Sequence, residues 1–356
     1  MKKIVLTGGG TAGHVTPNIA LLPALQAAGY EIAYVGSYEG IEKKLIADFN
    51  IPYTGISTGK FRRYLDFSDP FRVMKGFVEA RNYLKNYQPD VVFSKGGFVS
   101  VPVVRAAASL HIPCIIHESD MTPGLANKLC IPVAEKVCCN FPETMKNIPA
   151  DKAVLTGSPI RAELAQGSRL AGLNMCGFTA NKPVIMVIGG SLGAANVNKA
   201  VRDALPKLLE DFQVVHLCGK DKIDNLLLNT PGYKQFEYIK AELKDIFAMA
   251  DVVISRAGAN AICELLALKK PNILIPLPAA SSRGDQLLNA ASFEAQGYSI
   301  VLNEDDITTN LLVDKVHELY FNRQNYVEAM SRSHQMDAIN TIMLLINEAA
   351  NKSHTQ

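Results

Sequence analysis

The chain has 356 residues, of which 48% are hydrophobic and 20% are charged, and its formal net charge is only +2. This length and composition predict a globular protein of two domains, and the nearly balanced charge argues against a nucleic-acid partner. The seven cysteines form no C-x-x-C pair, which indicates buried, reduced thiols rather than disulfides or a zinc site. No stretch approaches the roughly 20 apolar residues of a membrane span, and the N-terminal apolar run is too short for a signal peptide. We therefore expect a cytoplasmic protein whose membrane contact, if any, is peripheral.

The first half of the chain alternates short apolar strands with helix-like segments. Residues 4–6 form a predicted strand that leads into glycines, residues 16–28 have apolar side chains at helical spacing, and EIAYVGS is a second predicted strand. Further strands are predicted in PDVVFSKGG, PCIIHES and KAVLTGSP, with helices over residues 69–87 and 101–109. This alternation predicts a parallel, doubly wound α/β sheet.

The same plan begins again near residue 183. KPVIMVIGGSLGAANVNKAVRDALPKLLED has a strand, a Gly-Gly turn and a long amphipathic helix, and FQVVHLCGK, ADVVISRAG and PNILIPLP follow as strands. We therefore predict two tandem Rossmann-like domains, residues 1–160 and 161–336, with a final helix in residues 337–356 that packs back on the N-terminal domain. Open α/β sheets bind ligands at the carboxyl ends of their strands, here expected to face a cleft between the domains.

The first glycine turn has the spacing of a dinucleotide site. Gly8, Gly10 and Gly13 match G-x-G-x-x-G between a strand and a helix. A NAD site also needs an acid at the end of the second strand to bind the ribose. That strand ends in YVGS, and the next carboxylate in the chain is Glu39. The sequence therefore disfavours a dinucleotide.

Two features near the predicted turns can carry chemistry. His14 lies at a helix start, where the helix dipole disfavours the imidazolium and leaves a neutral ring that can act as a general base. A capping or packing histidine is the alternative. In the second half, the N–H groups of GGSLGA and the hydroxyl of Ser191 can bind phosphate oxygens, and close packing of strand on helix is the alternative.

SRAGANAICELLALKKPNILIPLP is the most informative segment. A helix is predicted to open near Ala259, with Glu264 about one turn in. Its two carboxylate oxygens suit the vicinal hydroxyls of a ribose, although a lone glutamate more often complements the helix dipole. Gln286 and Asn289 follow in SSRGDQLLNA and can bond sugar hydroxyls. Together these residues favour a nucleotide-sugar site.

These segments resemble a known family. GGGTAGH, SKGGFVSVP, HESDMTPGLANK, GSPIR, GGSLGA, SRAGANAICE and DQLLNA, in this order between residues 4 and 295, resemble the MurG-type N-acetylglucosaminyltransferases of peptidoglycan synthesis. The resemblance implies the GT-B fold and a hexosyltransferase at the cytoplasmic face of the cell membrane that serves cell-wall biogenesis, cell shape and division. It implies transfer of N-acetylglucosamine, with inversion, from UDP-N-acetylglucosamine to the 4-hydroxyl of the muramoyl sugar of lipid I, an undecaprenyl-diphosphate-linked muramoyl peptide. The product is lipid II, and no cofactor is expected beyond the substrates.

The resemblance also implies roles by position. Glu264 would bind the ribose, the Ile239 backbone would contact uracil, and Gln286 and Asn289 would bind the sugar hydroxyls. The other residues implied at the donor are Thr11, Ala12, Gly13, Arg161, Ser191, Ala259, Asn260, Ala261, Ile262 and Cys263. The residues implied at the acceptor diphosphate are Gly8, Gly9, Gly10, Gly96 and Gly97.

Two positions depart from the family pattern. Ala12 stands where the family commonly has glycine, which is tolerable if φ there is negative. Asp120 stands where the family commonly has asparagine, so a donor becomes an acceptor, and Asp120 is a further candidate base beside His14. The chain also has no Asp-x-Asp, the usual metal-binding pattern of metal-dependent glycosyltransferases, so we predict no metal requirement.

The segment from residue 59 to 85 is a candidate membrane contact. It holds seven basic and three acidic residues, and Phe71, Met74 and Val78 lie at helical spacing beside Arg72 and Lys75. An apolar stripe flanked by basic residues suits an anionic lipid surface. An ordinary core face with a solvated basic edge is the alternative.

Other functions remain open at this level. A UDP-N-acetylglucosamine 2-epimerase or a diacylglycerol glycosyltransferase would share the two-domain plan and the donor site. A non-catalytic nucleotide-sugar-binding protein would bind the donor without turnover. A NAD-dependent dehydrogenase would use the first glycine turn, but the acid that should bind its ribose is missing from the end of the second predicted strand.

Overall fold

The computed structural model describes residues 1–59, 69–190, 193–279, 284–333 and 337–353. The chain divides into two compact units. The N-terminal unit comprises Met1–Arg161 and Asp337–Gln356, and the C-terminal unit comprises Ala162–Met336. Each unit is built on a parallel sheet, as the alternation of strands and helices predicted.

The described part of the N-terminal unit holds a seven-stranded parallel sheet. Its strands are β1 Lys3–Thr7, β2 Glu31–Ser37, β3 Tyr53–Ile56, β4 Val91–Ser94, β5 Cys114–Glu118, β6 Lys136–Cys139 and β7 Ala153–Leu155. Their order across the sheet is β3-β2-β1-β4-β5-β6-β7. Its helices are α1 Thr16–Ala27, α2 Ile41–Ile46, α3 Asp69–Tyr87, α4 Ser100–Ser109, α5 Leu125–Cys130, α6 Pro142–Met145 and, at the end of the chain, α14 Ala338–Ser353.

Successive strand residues point to opposite faces of the sheet, and both faces are covered by helices, as is usual for a parallel sheet. Val5 packs into one core with residues of α3, α4 and α5, while Ile4 and Leu6 pack into a second core on the other face. The second core includes Leu21 and Leu25 of α1 and fully buried side chains of α14. The last helix of the chain therefore completes the core of the first unit.

The described part of the C-terminal unit holds a six-stranded parallel sheet in the order β10-β9-β8-β11-β12-β13. The strands are β8 Val184–Ile188, β9 Gln213–Leu217, β10 Tyr233–Phe236, β11 Val252–Ser255, β12 Asn272–Leu274 and β13 Ser299–Val301. The helices are α7 Arg169–Cys176, α8 Ala195–Asp211, α9 Leu243–Met249, α10 Ala259–Ala267, α11 Asp285–Ala295, α12 Thr309–Phe321 and α13 Arg323–Ser331. One core joins α8 and α12 to the central strands.

The predicted elements agree with this structure. The helix predicted over residues 69–87 is α3, and the helix predicted to open at Ala259 is α10. All seven cysteines are buried, as the sequence indicated. None of the described helices is long and apolar enough to cross a membrane.

Candidate active site

In the N-terminal unit the two glycine turns follow adjacent strands. β1 pairs with both β2 and β4, so the chain leaves β1 in one direction across the sheet and later continues in the other. This reversal is the topological switch point, where open α/β sheets leave a crevice for ligands. Gly8, Gly9 and Gly10 follow β1, and Gly96 and Gly97 follow β4. The five glycines predicted at the acceptor thus share one edge of the sheet.

His14 lies at this edge and is held against the first glycine turn. It ends a short 3₁₀ helix, Ala12–His14, and its Nδ1 is 3.2 Å from the carbonyl oxygen of Gly9 and 3.2 Å from Oγ1 of Thr11. A carbonyl oxygen only accepts, so Nδ1 carries the ring proton and Nε2 presents a lone pair. Ala12 does not have a positive φ, which meets the condition set for alanine at that position.

The environment keeps the His14 ring neutral. Burial and the nearby Lys95 lower the pKa of His14 to about 4, against the opposing effects of the Gly9 hydrogen bond and the Glu42 carboxylate. Gly97 lies so close that any side chain there would collide with the carbonyl oxygen of Gly9 and crowd His14. Its φ of +83° also favours glycine. The ring is therefore clamped between the two turns.

Lys95 and His117 form a buried polar pair beneath the turns. Nε2 of His117 donates to the carbonyl oxygen of Gly157 over 2.9 Å, so its Nδ1 accepts from Nζ of Lys95, also over 2.9 Å. Nζ of Lys95 donates to Oγ of Ser119 as well. Burial and Lys95 hold the pKa of His117 well below its usual range. Sequence reasoning did not find this pair, because Lys95 follows β4 and His117 lies on β5, 22 residues further along the chain.

The loop after β5 is shaped by Glu118, a buried glutamate at the end of that strand. Glu118 accepts hydrogen bonds from the backbone N–H of Asp120 over 2.9 Å, from that of Gly124 over 3.0 Å, and from Nδ2 of Asn127 over 2.8 Å. The carbonyl oxygen of Asp120 accepts from Oγ1 of Thr144 over 3.1 Å. The backbone of Asp120 is thus fixed at the carboxyl edge of the sheet, and its role as a base stays a prediction.

An acidic residue that the sequence reading passed over lies at the end of β2. Glu42, in the first turn of α2, is fully buried, and its carboxylate accepts a hydrogen bond from the backbone N–H of Ser37, the last residue of β2. Glu39, the carboxylate considered from the sequence, is exposed. An acid therefore does reach this strand end, but it comes from the following helix.

The C-terminal unit has the same arrangement around its own switch point. β8 pairs with β9 and β11, so the turn after β8 lies beside the segment after β11. Gly189, Gly190 and Gly193 belong to the turn after β8, while Ser191 lies outside the described residues. Arg256, directly after β11, donates to the carbonyl oxygens of Ile275 and Pro276 and forms an ion pair with Glu304.

α10 begins at this edge. Gly258 is the extended N-cap residue, and the first N–H groups of an α-helix have no acceptor within the helix. Ala259, Asn260, Ala261 and Glu264 are partly exposed, whereas the side chains of Ile262 and Cys263 are buried in the core. Contacts of those last two with a donor would therefore run through their backbone.

The predicted sugar-binding residues follow on α11. Oε1 of Gln286 accepts from the backbone N–H of Leu277 over 3.1 Å, which fixes the orientation of its amide. Asn289 is only 1% exposed, and its Nδ2 donates to the carbonyl oxygen of Ala257 over 3.1 Å. Oδ1 of Asn289 is buried and has no partner among the described residues. A sugar contact by Asn289 would have to use this oxygen.

The remaining predicted positions are Ile239 and Arg161. Ile239 is buried, with 5% of its surface exposed, so its predicted contact with uracil would use the backbone. Arg161 is partly exposed at the end of the N-terminal unit's first segment. Within the described ranges no group of three or more His, Cys, Asp or Glu side chains is placed to hold a metal ion.

Comparison with known families assigns both halves of the chain. Residues 4–139 match the glycosyltransferase family 28 N-terminal domain, and residues 184–343 match the family 28 C-terminal domain. The first match lies within the N-terminal unit, the second covers most of the C-terminal unit and extends into α14, and together they include both switch points. The fold and the paired glycine turns thus belong to a two-domain glycosyltransferase.

Individual relatives narrow this class. The chain is 64% identical over 351 residues to the UDP-N-acetylglucosamine--N-acetylmuramyl-(pentapeptide) pyrophosphoryl-undecaprenol N-acetylglucosamine transferase of Lachnospira eligens, covering 98% of this chain and 99% of that protein. The crystal structure of Acinetobacter baumannii MurG superposes with a TM-score of 0.78 at 28% identity, covering 98% of this chain and 100% of that one. The chain therefore belongs to the MurG-type N-acetylglucosaminyltransferases of glycosyltransferase family 28.

The epimerase alternative has support at the level of fold alone. The UDP-GlcNAc 2-epimerase of Methanocaldococcus jannaschii superposes with a TM-score of 0.69 at 14% identity, covering 97% of this chain and 99% of that one. An identity this low shows a shared architecture of two α/β units. The relative at 64% identity favours the transferase over this alternative.

Proposed function

We propose that this chain transfers N-acetylglucosamine from UDP-N-acetylglucosamine to the 4-hydroxyl of the muramoyl sugar of lipid I, giving lipid II for peptidoglycan synthesis. The observation that carries the proposal is the 64% identity over 98% of the chain to a transferase named for this reaction. The proposal accounts for two switch-point sites in one chain, because the reaction joins two large anionic substrates.

The C-terminal unit is the proposed donor site. The positive end of the α10 helix dipole lies at the switch point, where it would attract the diphosphate of the donor. Glu264, one and a half turns into α10, offers the carboxylate for the ribose diol. Gln286 has its carbonyl oxygen engaged by Leu277, which leaves its amide N–H groups to donate to sugar hydroxyls.

The N-terminal unit is the proposed acceptor site, with His14 as the base. Nε2 of His14 takes the proton of the muramoyl 4-hydroxyl as that oxygen attacks the anomeric carbon from the face opposite the UDP oxygen. One carbon–oxygen bond forms, the bond to UDP breaks, and UDP leaves with the electron pair, so the configuration inverts. The Nδ1 hydrogen bond to Gly9 holds the ring in the tautomer that this step requires.

We propose that the leaving diphosphate is stabilised by backbone N–H groups and by Arg161, without a metal or other cofactor. Preorganised N–H donors at a helix start can stabilise a developing negative charge at no cost of reorganisation. The test is to run the reaction in EDTA, where full activity is expected.

We propose a peripheral contact with the cytoplasmic face of the cell membrane through α3. Phe71, Met74 and Val78 are 79%, 64% and 50% exposed, so the apolar stripe does not belong to the core. Arg72 and Lys75 lie beside it, and anionic lipids attract such basic residues. The lipid acceptor is membrane-bound, so this surface would bring the carboxyl edge of the N-terminal sheet to its substrate. Residues 60–68 of the predicted segment lie outside the described residues.

Transfer of labelled N-acetylglucosamine to a lipid I analogue, in EDTA, tests the reaction. Formation of a disaccharide-linked lipid with released UDP is the expected result. Release of free sugar or of the 2-epimer, with no labelled lipid, would instead favour the epimerase. Donor binding with no product of either kind would favour the non-catalytic protein.

Co-sedimentation with vesicles tests the membrane contact. Met74→Ser is expected to weaken binding to vesicles that contain phosphatidylglycerol, with little change for neutral vesicles. Leu344→Ser is a matched control, because Leu344 is 63% exposed on α14, outside the proposed surface. Equal loss in both variants would contradict a contact specific to α3.

A further inference from the structure

Among the residues that the structure describes, only neutral donors bond the buried carboxylate of Glu42. Its side chain is fully buried, and in the described part of the chain no ion pair joins it to a lysine or arginine. Oε2 accepts from the backbone N–H of Gly10 over 3.1 Å. Oε1 accepts from the backbone N–H of Ser37 over 2.9 Å and from the Ser37 hydroxyl. The loss of any one of these donors would leave the buried carboxylate less well stabilised. The carboxylate therefore holds its donor groups in place.

These bonds tie the first glycine turn to the end of β2. The turn passes directly over the carboxylate, since a Cβ on Gly9 would lie 2.5 Å from Cδ of Glu42. With Gly10 bonded on this side, the carbonyl oxygen of Gly9 faces the other way and accepts from Nδ1 of His14. A continuous chain of contacts therefore runs from Ser37 through Glu42 and the turn to the imidazole.

We propose that Glu42 is a positioning residue: it sets the shape of the first glycine turn and, through the Gly9 carbonyl, the orientation and tautomer of His14. This inference rests on the proposed role of His14 as the base. It also explains why the G-x-G-x-x-G turn is no dinucleotide site. The acid at the end of β2 is buried under the turn and bonded to the chain's own backbone, so it is closed to a ribose.

The first test reads the His14 ring directly. In wild type, ¹⁵N NMR is expected to show the tautomer with the proton on Nδ1, with the signal assigned by its loss in His14→Gln. In Glu42→Gln only one side-chain oxygen remains to accept, so either Gly10 or Ser37 loses its bond. The His14 signal is then expected to move toward a mixture of tautomers. An unchanged signal in folded Glu42→Gln would overturn the proposal.

The second test separates positioning from general stability. With labelled donor and a lipid I analogue, Glu42→Gln is expected to lower kcat about 10- to 100-fold, the loss typical of a misplaced catalytic group, with the donor KM within twofold. Glu39→Gln changes an exposed acid on the same connection and is expected to match wild type. Equal kcat values in Glu42→Gln and Glu39→Gln would overturn the proposal.

Ser37→Ala keeps the test decisive if Glu42→Gln does not fold. It removes one donor to Oε1 and leaves the charge and the Gly10 bond in place. A smaller shift of the His14 signal in the same direction is expected, and no shift would overturn the proposal. Because the NMR measurement needs no turnover, a wild type that fails to glycosylate lipid I would refute the proposed function and leave the role of Glu42 separately tested.

Discussion

Replacing His14 with alanine tests the proposed chemistry most directly. The ring is held between two glycine turns, with Nδ1 bonded to the carbonyl oxygen of Gly9 and no partner for Nε2 among the described residues. The substitution therefore removes the proposed proton acceptor, while Glu42 and the glycines should still maintain the fold of the sheet edge. We expect a loss in kcat with little change in the KM for either substrate.

The size of the loss follows from the state of the ring. A general base contributes about 10²- to 10⁴-fold to a rate, equivalent to roughly 3–5 kcal/mol of barrier. With its pKa lowered to about 4, His14 is almost wholly in its base form at neutral pH, but it is also a weak base. We therefore expect a loss near the lower end of this range, about 100- to 1,000-fold.

The pH profile sharpens the prediction. An ordinary histidine would lose activity below about pH 6.5, whereas His14, with a pKa of about 4, should keep kcat/KM level well below that pH. The assay is labelled transfer from pH 8 to pH 5, with thermal unfolding measured at each pH. A descending limb centred on pH 6.5 in folded enzyme would refute the reasoning, as would His14→Ala retaining more than a third of wild-type kcat.

A matched control is available on the opposite edge of the same sheet. His111 is exposed just before β5 and has a φ of +59°, a conformation that asparagine tolerates. His111→Asn removes an imidazole without disturbing the carboxyl edge and is expected to match wild type.

Three further predictions concern the donor, pH and the last helix. Glu264→Ala is expected to raise the donor KM about 10- to 100-fold in steady-state assays, since a hydrogen bond to a charged group is worth about 1.5–3 kcal/mol, and an unchanged donor KM would exclude the ribose contact. His117 and His216 are buried with lowered pKa values, about 3 for His216, so the unfolded chain binds more protons below pH 6.5. The free energy of unfolding by urea should thus be level above pH 6.5 and fall as the pH drops toward 5; a level curve throughout would contradict it. Ile346→Ala on α14 should cost about 2–5 kcal/mol, while Leu344→Ala should stay within about 0.5 kcal/mol; similar values would show that α14 does not complete the core.

Local patterns carried much of the fold. The predicted strand EIAYVGS is β2, and the helix predicted over residues 69–87 is α3. Both could be predicted because the spacing of apolar residues and the glycines that end strands are local features of the sequence. The sequence also predicted the boundary between the two α/β units, since the pattern of strand, Gly-Gly turn and helix begins again near residue 183. The glycine turns after the predicted strands indicated that His14 and Glu264, at or near the starts of the helices that follow, would lie at the carboxyl edges of the sheets.

The side-chain partners of the site were decided by tertiary structure. Glu42 bonds the turn 32 residues before it, and Lys95 bonds His117 22 residues after it. Neither pairing has a periodic signature, because it depends on which strands lie side by side in the sheet. The sequence predicted Asn289 as an amide for sugar hydroxyls, and only the packing of α11 showed that the residue is buried and that its Nδ2 bonds Ala257.

The sequence by itself determined the two parallel α/β units and predicted the sheet edges at which ligands should bind, since hydrophobic periodicity and glycine turns act over a few residues. Only the tertiary structure decided which charges are buried and how His14 is oriented. Those properties arise from strand order, which brings Gly9, Glu42, and the turn that holds Lys95 and Gly97 around one ring from three separate segments. Burial then sets the protonation of the ring, and no local pattern in the chain encodes burial of that kind.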